Sequence, residues 1–133
     1  MRRTLAAIVV LMVAAAGGGC GGGDDEAASR VAERFYAAVE AKDGKAACEQ
    51  LEESTLEALE HEEESPCAEA VLSLKLSGGR ADSATVWVTS AQVRLRAGDT
   101  VFLDETNTGW RVAAAGCRPQ PGEESPYQCE VES

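Results

Sequence analysis

The chain has 133 residues, of which 12 are basic and 23 acidic, and a net charge of −11 at neutral pH. That length holds one domain rather than two. The acidic balance repels phosphate backbones, so no nucleic-acid partner is expected.

At the start of the chain, Arg2 and Arg3 precede an apolar run from Thr4 to Ala16. The run is too short for a hydrocarbon core that needs about 20 helical residues. A positive flank, a short apolar segment and small residues behind it predict a secretory signal peptide over residues 1–19. Gly18-Gly19-Cys20 resembles the end of a bacterial lipoprotein signal, in which a small residue precedes the cysteine that receives a diacylglyceryl group. Gly17 stands where that family usually carries an aliphatic residue. The resemblance implies export, cleavage before Cys20, and anchoring of a lipidated Cys20 in the cell membrane at its extracytoplasmic face. Two acyl chains hold a protein firmly, since each buried methylene contributes about 0.8 kcal/mol. Loss of the leader lowers the basic count from 12 to 10 against 23 acidic residues, for a net charge of −13.

Residues 20–26 read as a lipidated, flexible acidic tether. A helix follows from Ala27 to Lys42, with Val31, Phe35 and Val39 at four-residue spacing and Ala28 and Ala38 on the same side. Asp43-Gly44 breaks the pattern, and Asp43 can cap a short second helix through Ala46, Ala47, Cys48 and Leu51. Ser54-Thr-Leu-Glu57 has the form of a capping box and predicts a third helix with Leu56 and Leu59 inward. Ser65-Pro66 starts a fourth, buried through Val71, Leu72 and Leu74.

After Gly78-Gly79 the period changes to two. Strands are expected at 84–88, 92–96, 100–103 and 110–113, with turns at Ala97-Gly98-Asp99 and Thr106-Asn-Thr-Gly109. Val93 and Leu95 share one face, with Arg94 and Arg96 on the other. Thr89-Ser90 fits either a turn or a bulge. Residues 118–133 carry Pro119, Pro121 and Pro126, and a short final strand is expected near Tyr127 to Val131.

Apart from Cys20 the cysteines are Cys48, Cys67, Cys117 and Cys129, an even number that fits disulfides in an exported domain. Four cysteines allow three pairings. Sequence proximity favours Cys48–Cys67 and Cys117–Cys129, the latter stapling the tail. No Cys-x-x-Cys pair exists and His61 is the only histidine, which disfavours zinc.

Helices followed by an antiparallel meander predict an α+β domain. The segments Phe35-Tyr-Ala-Ala-Val39, Asp43-Gly44, Ala47-Cys48 and Leu51, then Asp99-Thr-Val-Phe-Leu103, Gly109-Trp-Arg-Val112 and Cys117, resemble small NTF2-like (cystatin-like, SnoaL-type) domains of actinobacterial lipoproteins. The resemblance covers residues 29–117 within a domain drawn over 27–117. It implies N-terminal helices packed on a curved antiparallel sheet, forming a cone that can hold a pocket.

Candidate chemistry is sparse. The glutamates from Glu49 to Glu64 could gather a hard cation, but on amphipathic helices they form a solvated face. His61 within that run reads as a surface residue. Asp104 to Gly109 is rich in oxygen ligands, yet hairpin turns favour the same residues. Arg94, Arg96 and Arg111 should lie opposite the core and pair with Asp104 or Glu105. Isomerases of the resembled fold use a carboxylate base with a tyrosine or protonated acid, and Tyr36 is the candidate tyrosine. No inward strand acid is visible to pair with it, because Val93 and Leu103 hold those positions, and Phe35 fits the buried stripe better. Phe35, Tyr36, Trp87 and Trp110 are the candidate pocket lining, with Phe102 beside them. No cofactor or metal is expected. The expected role is non-catalytic binding of an envelope protein or a small apolar ligand; the alternative is a small isomerase- or dehydratase-type enzyme.

Overall fold

The computed structural model describes residues 22–122 and 126–133. The leader and Cys20 lie outside the described residues.

Four helices come first: α1 (Gly22–Glu40), α2 (Gly44–Cys48), α3 (Glu53–Glu63) and α4 (Cys67–Ala70), the last continued by a 3-10 turn at Val71–Ser73. The strands are β1 (Ala81–Trp87), β2 (Ser90–Leu95), β3 (Thr100–Thr106), β4 (Gly109–Pro119), β5 (Tyr127–Gln128) and β6 (Val131–Glu132). They form one curved antiparallel sheet in the order β1-β2-β3-β4-β5, with β6 also pairing β4. Register shifts between Ala81 and Ser83 of β1, and opposite Thr100 to Leu103 between Cys117 and Val112, mark bulges in β1 and β4, which bend the strands that carry them. The α+β class holds.

Helix α1 starts earlier than its sequence pattern predicts. Gly22 to Glu26, expected as tether, are helical. Asp24 and Asp25 in the first turn complement the positive end of the helix dipole. Its buried stripe is Ala28, Val31, Ala32, Phe35 and Tyr36, the spacing of a core-facing helix. Both aromatic residues are buried, so Phe35 does not exclude Tyr36. Lys42 closes the helix at a φ of 59°, with Asp43 N–H donating to Ala38 O and Lys42 N–H to Val39 O, as in a Schellman motif. Asp43 then caps α2 by accepting from Ala46 N–H at 3.0 Å.

The expected capping box is not used. Helix α3 begins at Glu53, and Glu52 caps it without a side-chain bond. The reason is tertiary: Glu52 N–H donates to Val112 O and Val112 N–H to Gln50 O, so β4 fixes the chain just before the helix. Thr55 rather than Leu56 is fully buried beside Leu59, its hydroxyl donating to Ala113 O at 2.9 Å. Helices α2 and α4 touch through Gly44, where a Cβ would meet Ala68 O at 1.9 Å.

The inner face of the sheet carries Ala91, Val93, Leu95, Val101, Leu103, Trp110 and Val112, all buried in one core with the α1 stripe. β1 is an edge strand, and α1 covers its start: Glu33 Oε1 accepts from Ala81 N–H at 2.8 Å. Val88 and Thr89 form a two-residue turn with Trp87 opposite Ser90, which resolves this segment as a hairpin. The final strand is split in two around Cys129 and Glu130. No helix among the described residues is long and apolar enough to cross a membrane.

Candidate functional site

The structure pairs Cys48 with Cys67 and Cys117 with Cys129. The first bond joins α2 to α4, and the second ties β4 to the tail. Disulfides of this kind place the domain in an oxidising, extracytoplasmic environment.

The acid that the sequence did not reveal beside Tyr36 is Asp99. It comes from the β2–β3 turn, 63 positions along the chain, and Tyr36 Oη donates to its Oδ2 at 3.0 Å. Ser77 N–H donates to the same oxygen at 2.8 Å. Gly116 N–H donates to Tyr36 Oη at 2.9 Å, from a backbone turned to a φ of 65° in β4. Asp99 Oδ1 is buried and has no hydrogen bond; its nearest cation is Arg118, at 3.5 Å and half exposed. Arg118 also faces Glu130 at 3.6 Å and donates to Lys75 O at 3.1 Å. Tyr36 is 2 % exposed and Asp99 1 %. The network therefore links α1, the segment before β1, the β2–β3 turn and β4 inside the fold.

Burial, and then the negative charge of Asp99, push the Tyr36 phenol far above its ordinary value near 10. The phenol stays neutral and donating across the physiological range. Because its folded value is raised, the stability it contributes is fully present below the unfolded value near 10 and declines as pH rises above it. In a Tyr127→Phe variant, near-ultraviolet phenolate absorbance should therefore appear only together with loss of the far-ultraviolet circular dichroism of the fold. Phenolate that forms while the fold persists would contradict the burial.

This pair has the chemistry of an acid–phenol dyad but no access. The hydroxyl proton is engaged by Asp99 and an oxygen lone pair by Gly116. Neither residue lines any of the five main surface clefts over the described residues. Two of these clefts hold about 420 and 550 Å³; the first lies between Glu52, Glu53 and Thr106 to Thr108, the second between Arg30, Glu33 and Arg80. Both are open; the second is mostly polar, while the first mixes polar residues with Leu51 and Leu56.

The other expected positions do not assemble into a pocket. Phe35 and Trp110 are core residues, and Phe35 packs edge-on against Tyr36. Trp87 sits half exposed at the tip of the β1–β2 hairpin. Phe102 lies on the outer face, edge-on to Tyr127, whose hydroxyl accepts from Gln92 Nε2 at 3.0 Å.

Among the described residues no group of three His, Cys, Asp or Glu side chains could hold a metal ion. Of the glutamates from Glu49 to Glu64 only Glu52 is partly buried; Glu60 accepts from Cys67 N–H at 2.8 Å at the start of α4. His61 is exposed. Arg94, Arg96 and Arg111 form no ion pair among the described residues; Arg111 donates instead to Trp110 O at 3.1 Å. In the Asp104–Gly109 turn, Thr106 Oγ1 donates to Gly109 O at 2.8 Å and accepts from Thr108 N–H at 3.2 Å, as expected of a turn.

No family profile, curated protein or solved structure matches this chain.

Proposed function

We propose that the chain is an exported, lipid-anchored envelope protein whose NTF2-like domain is a non-catalytic binding or accessory module. The observation that carries the non-catalytic reading is the enclosure of Tyr36 and Asp99: among the described residues this acid–phenol pair is almost fully buried, its hydroxyl is held by Asp99 and Gly116, and neither residue lines a described cleft. General acid–base work needs a reacting atom within hydrogen-bond reach. The leader resemblance and the two disulfides support export.

The anchor is tested by intact mass of the detergent-extracted protein. The expected species begins at Cys20 and carries a diacylglyceryl group, whereas Cys20→Ala lacks the added mass and leaves the membrane fraction on cleavage. An extracted protein that retains Met1 without acylation would overturn the anchor. The non-catalytic reading predicts that Tyr36→Phe impairs the protein in cells only in proportion to lost stability. A Tyr36→Phe phenotype at full stability and abundance would favour an enzyme.

A further inference from the structure

The N-terminus of α1 and the tip of the first hairpin lie at one end of the molecule. Asp24 and Asp25 share a shallow cleft with Ala84, Thr85 and Val86 near the end of β1, while Glu33 bonds Ala81 at its start. Helix α1 therefore runs against β1, and its first turn points the same way as the Val88–Thr89 turn.

That turn carries the two large apolar residues exposed among the described residues, Trp87 at 52 % and Val88 at 92 %. Val88 sits at a φ of 50°, a conformation that a β-branched residue rarely adopts. Thr89 is not at positive φ, and a hairpin turn with positive φ at its first central position favours glycine there. The chain thus keeps an apolar side chain in water where glycine would relieve the backbone. At 92 % exposed, Val88 gains almost no cover from the described residues.

The chain before α1 says what covers this tip. Only Gly21 separates Cys20 from the first residue of the helix. Two residues reach at most about 7 Å, so an acyl group on Cys20 would hold this end of the domain against lipid. We infer that Trp87 and Val88 insert into the boundary between headgroups and acyl chains, as a second, non-covalent membrane contact beside the anchor. The inference rests on the lipid-anchor reading. Tryptophan suits that depth because its ring is amphipathic.

Charge selects the lipid. Asp24 and Asp25 lie beside β1 at Ala84 to Val86, just short of the tip; Asp104 is opposite Ser90, and Glu105 N–H donates to Thr89 O at 2.7 Å. An anionic surface repels these carboxylates, so the surface is zwitterionic.

The test uses the mature acylated protein, beginning at Cys20, in phosphatidylcholine vesicles, with and without brominated acyl chains. Trp110, only 6 % exposed in the core, is shielded from bromine, so quenching reports Trp87. Emission should shift to the blue and be quenched, and Trp87→Phe should abolish the quenching. Val88→Asp should weaken the inserted state about tenfold, as expected from losing burial of an apolar side chain and immersing a charge. Val88→Gly should reduce quenching while leaving the urea midpoint unchanged or higher, which a purely structural valine would not do. Added phosphatidylglycerol should lower quenching.

Acylated, vesicle-bound protein whose Trp87 emission matches that in water would overturn the inference and leave the anchor standing. A blue shift without bromine quenching would overturn it too, because it places Trp87 against protein rather than lipid. An intact mass lacking the acyl groups would remove the anchor reading and the inference with it.

Discussion

Replacing Asp99 with alanine should lower the stability of the domain by roughly 2–4 kcal/mol, because the buried Tyr36 hydroxyl loses its acceptor at about 1–3 kcal/mol and the part-buried Ser77 N–H loses one at about 1 kcal/mol. Those donors are Tyr36 Oη–H and Ser77 N–H, both directed at Oδ2. Arg118 adds little to the loss, since it is half exposed and water can solvate it. Asp99→Asn retains an oxygen acceptor and should cost less than Asp99→Ala. Tyr36→Phe should fall between them, as it leaves Gly116 N–H unpaired. Against a total of about 5–15 kcal/mol for a typical domain, the alanine variant sits near the edge of folding. Urea denaturation followed by circular dichroism measures all three. An Asp99→Ala midpoint equal to that of the parent would show that the network does not hold these segments together. A double-mutant cycle between Tyr36→Phe and Asp99→Ala should then return a large coupling, as residues sharing one hydrogen bond do.

Removing both disulfides should be comparably severe. The bridges close loops with sequence separations of 19 and 12 residues, and the chain-entropy relation gives about 3 kcal/mol for each. They tie different segments, α2 to α4 in one case and β4 to the tail in the other, so their effects should nearly add. Cys48→Ala/Cys67→Ala should weaken the helical layer. Cys117→Ala/Cys129→Ala should release β5 and β6 and separate Glu130 from Arg118. With all four changed, or with the protein fully reduced, cooperative thermal unfolding should be lost or shifted far downward. A reduced protein that melts at the temperature of the oxidised form would refute this.

Local chemistry made much of the architecture legible. The alternation of Val93 and Leu95, the turns at Gly98 and Gly109, and the Asp43 cap all depend on near neighbours, and each appears in the structure. The misses arise where distant segments intervene. Ser54 and Glu57 have the form of a capping box, but Val112, far along the chain, holds Glu52 and shifts the helix start. Thr55 is polar and would be assigned to solvent, yet the Ala113 carbonyl gives it a partner inside. Asp99 is the clearest case. In sequence it belongs to a glycine turn and reads as solvated, because an aspartate there needs no other explanation. Only the fold shows that Tyr36 and Ser77 converge on it. Trp87 and Trp110 differ in burial for a related reason: periodicity assigns residues to faces but not to depth along a strand. Trp87 fell at the tip and Trp110 in the middle of the core.

The contact between Glu33 and Ala81 bears on how copies behave when crowded. An open strand flank is a template on which a neighbouring molecule can polymerise. The carboxylate of Glu33 occupies the first amide of that flank, and Asp82 beside it is exposed, so an approaching strand meets negative charge and a donor already engaged. This end of the edge is therefore a poor template for strand addition.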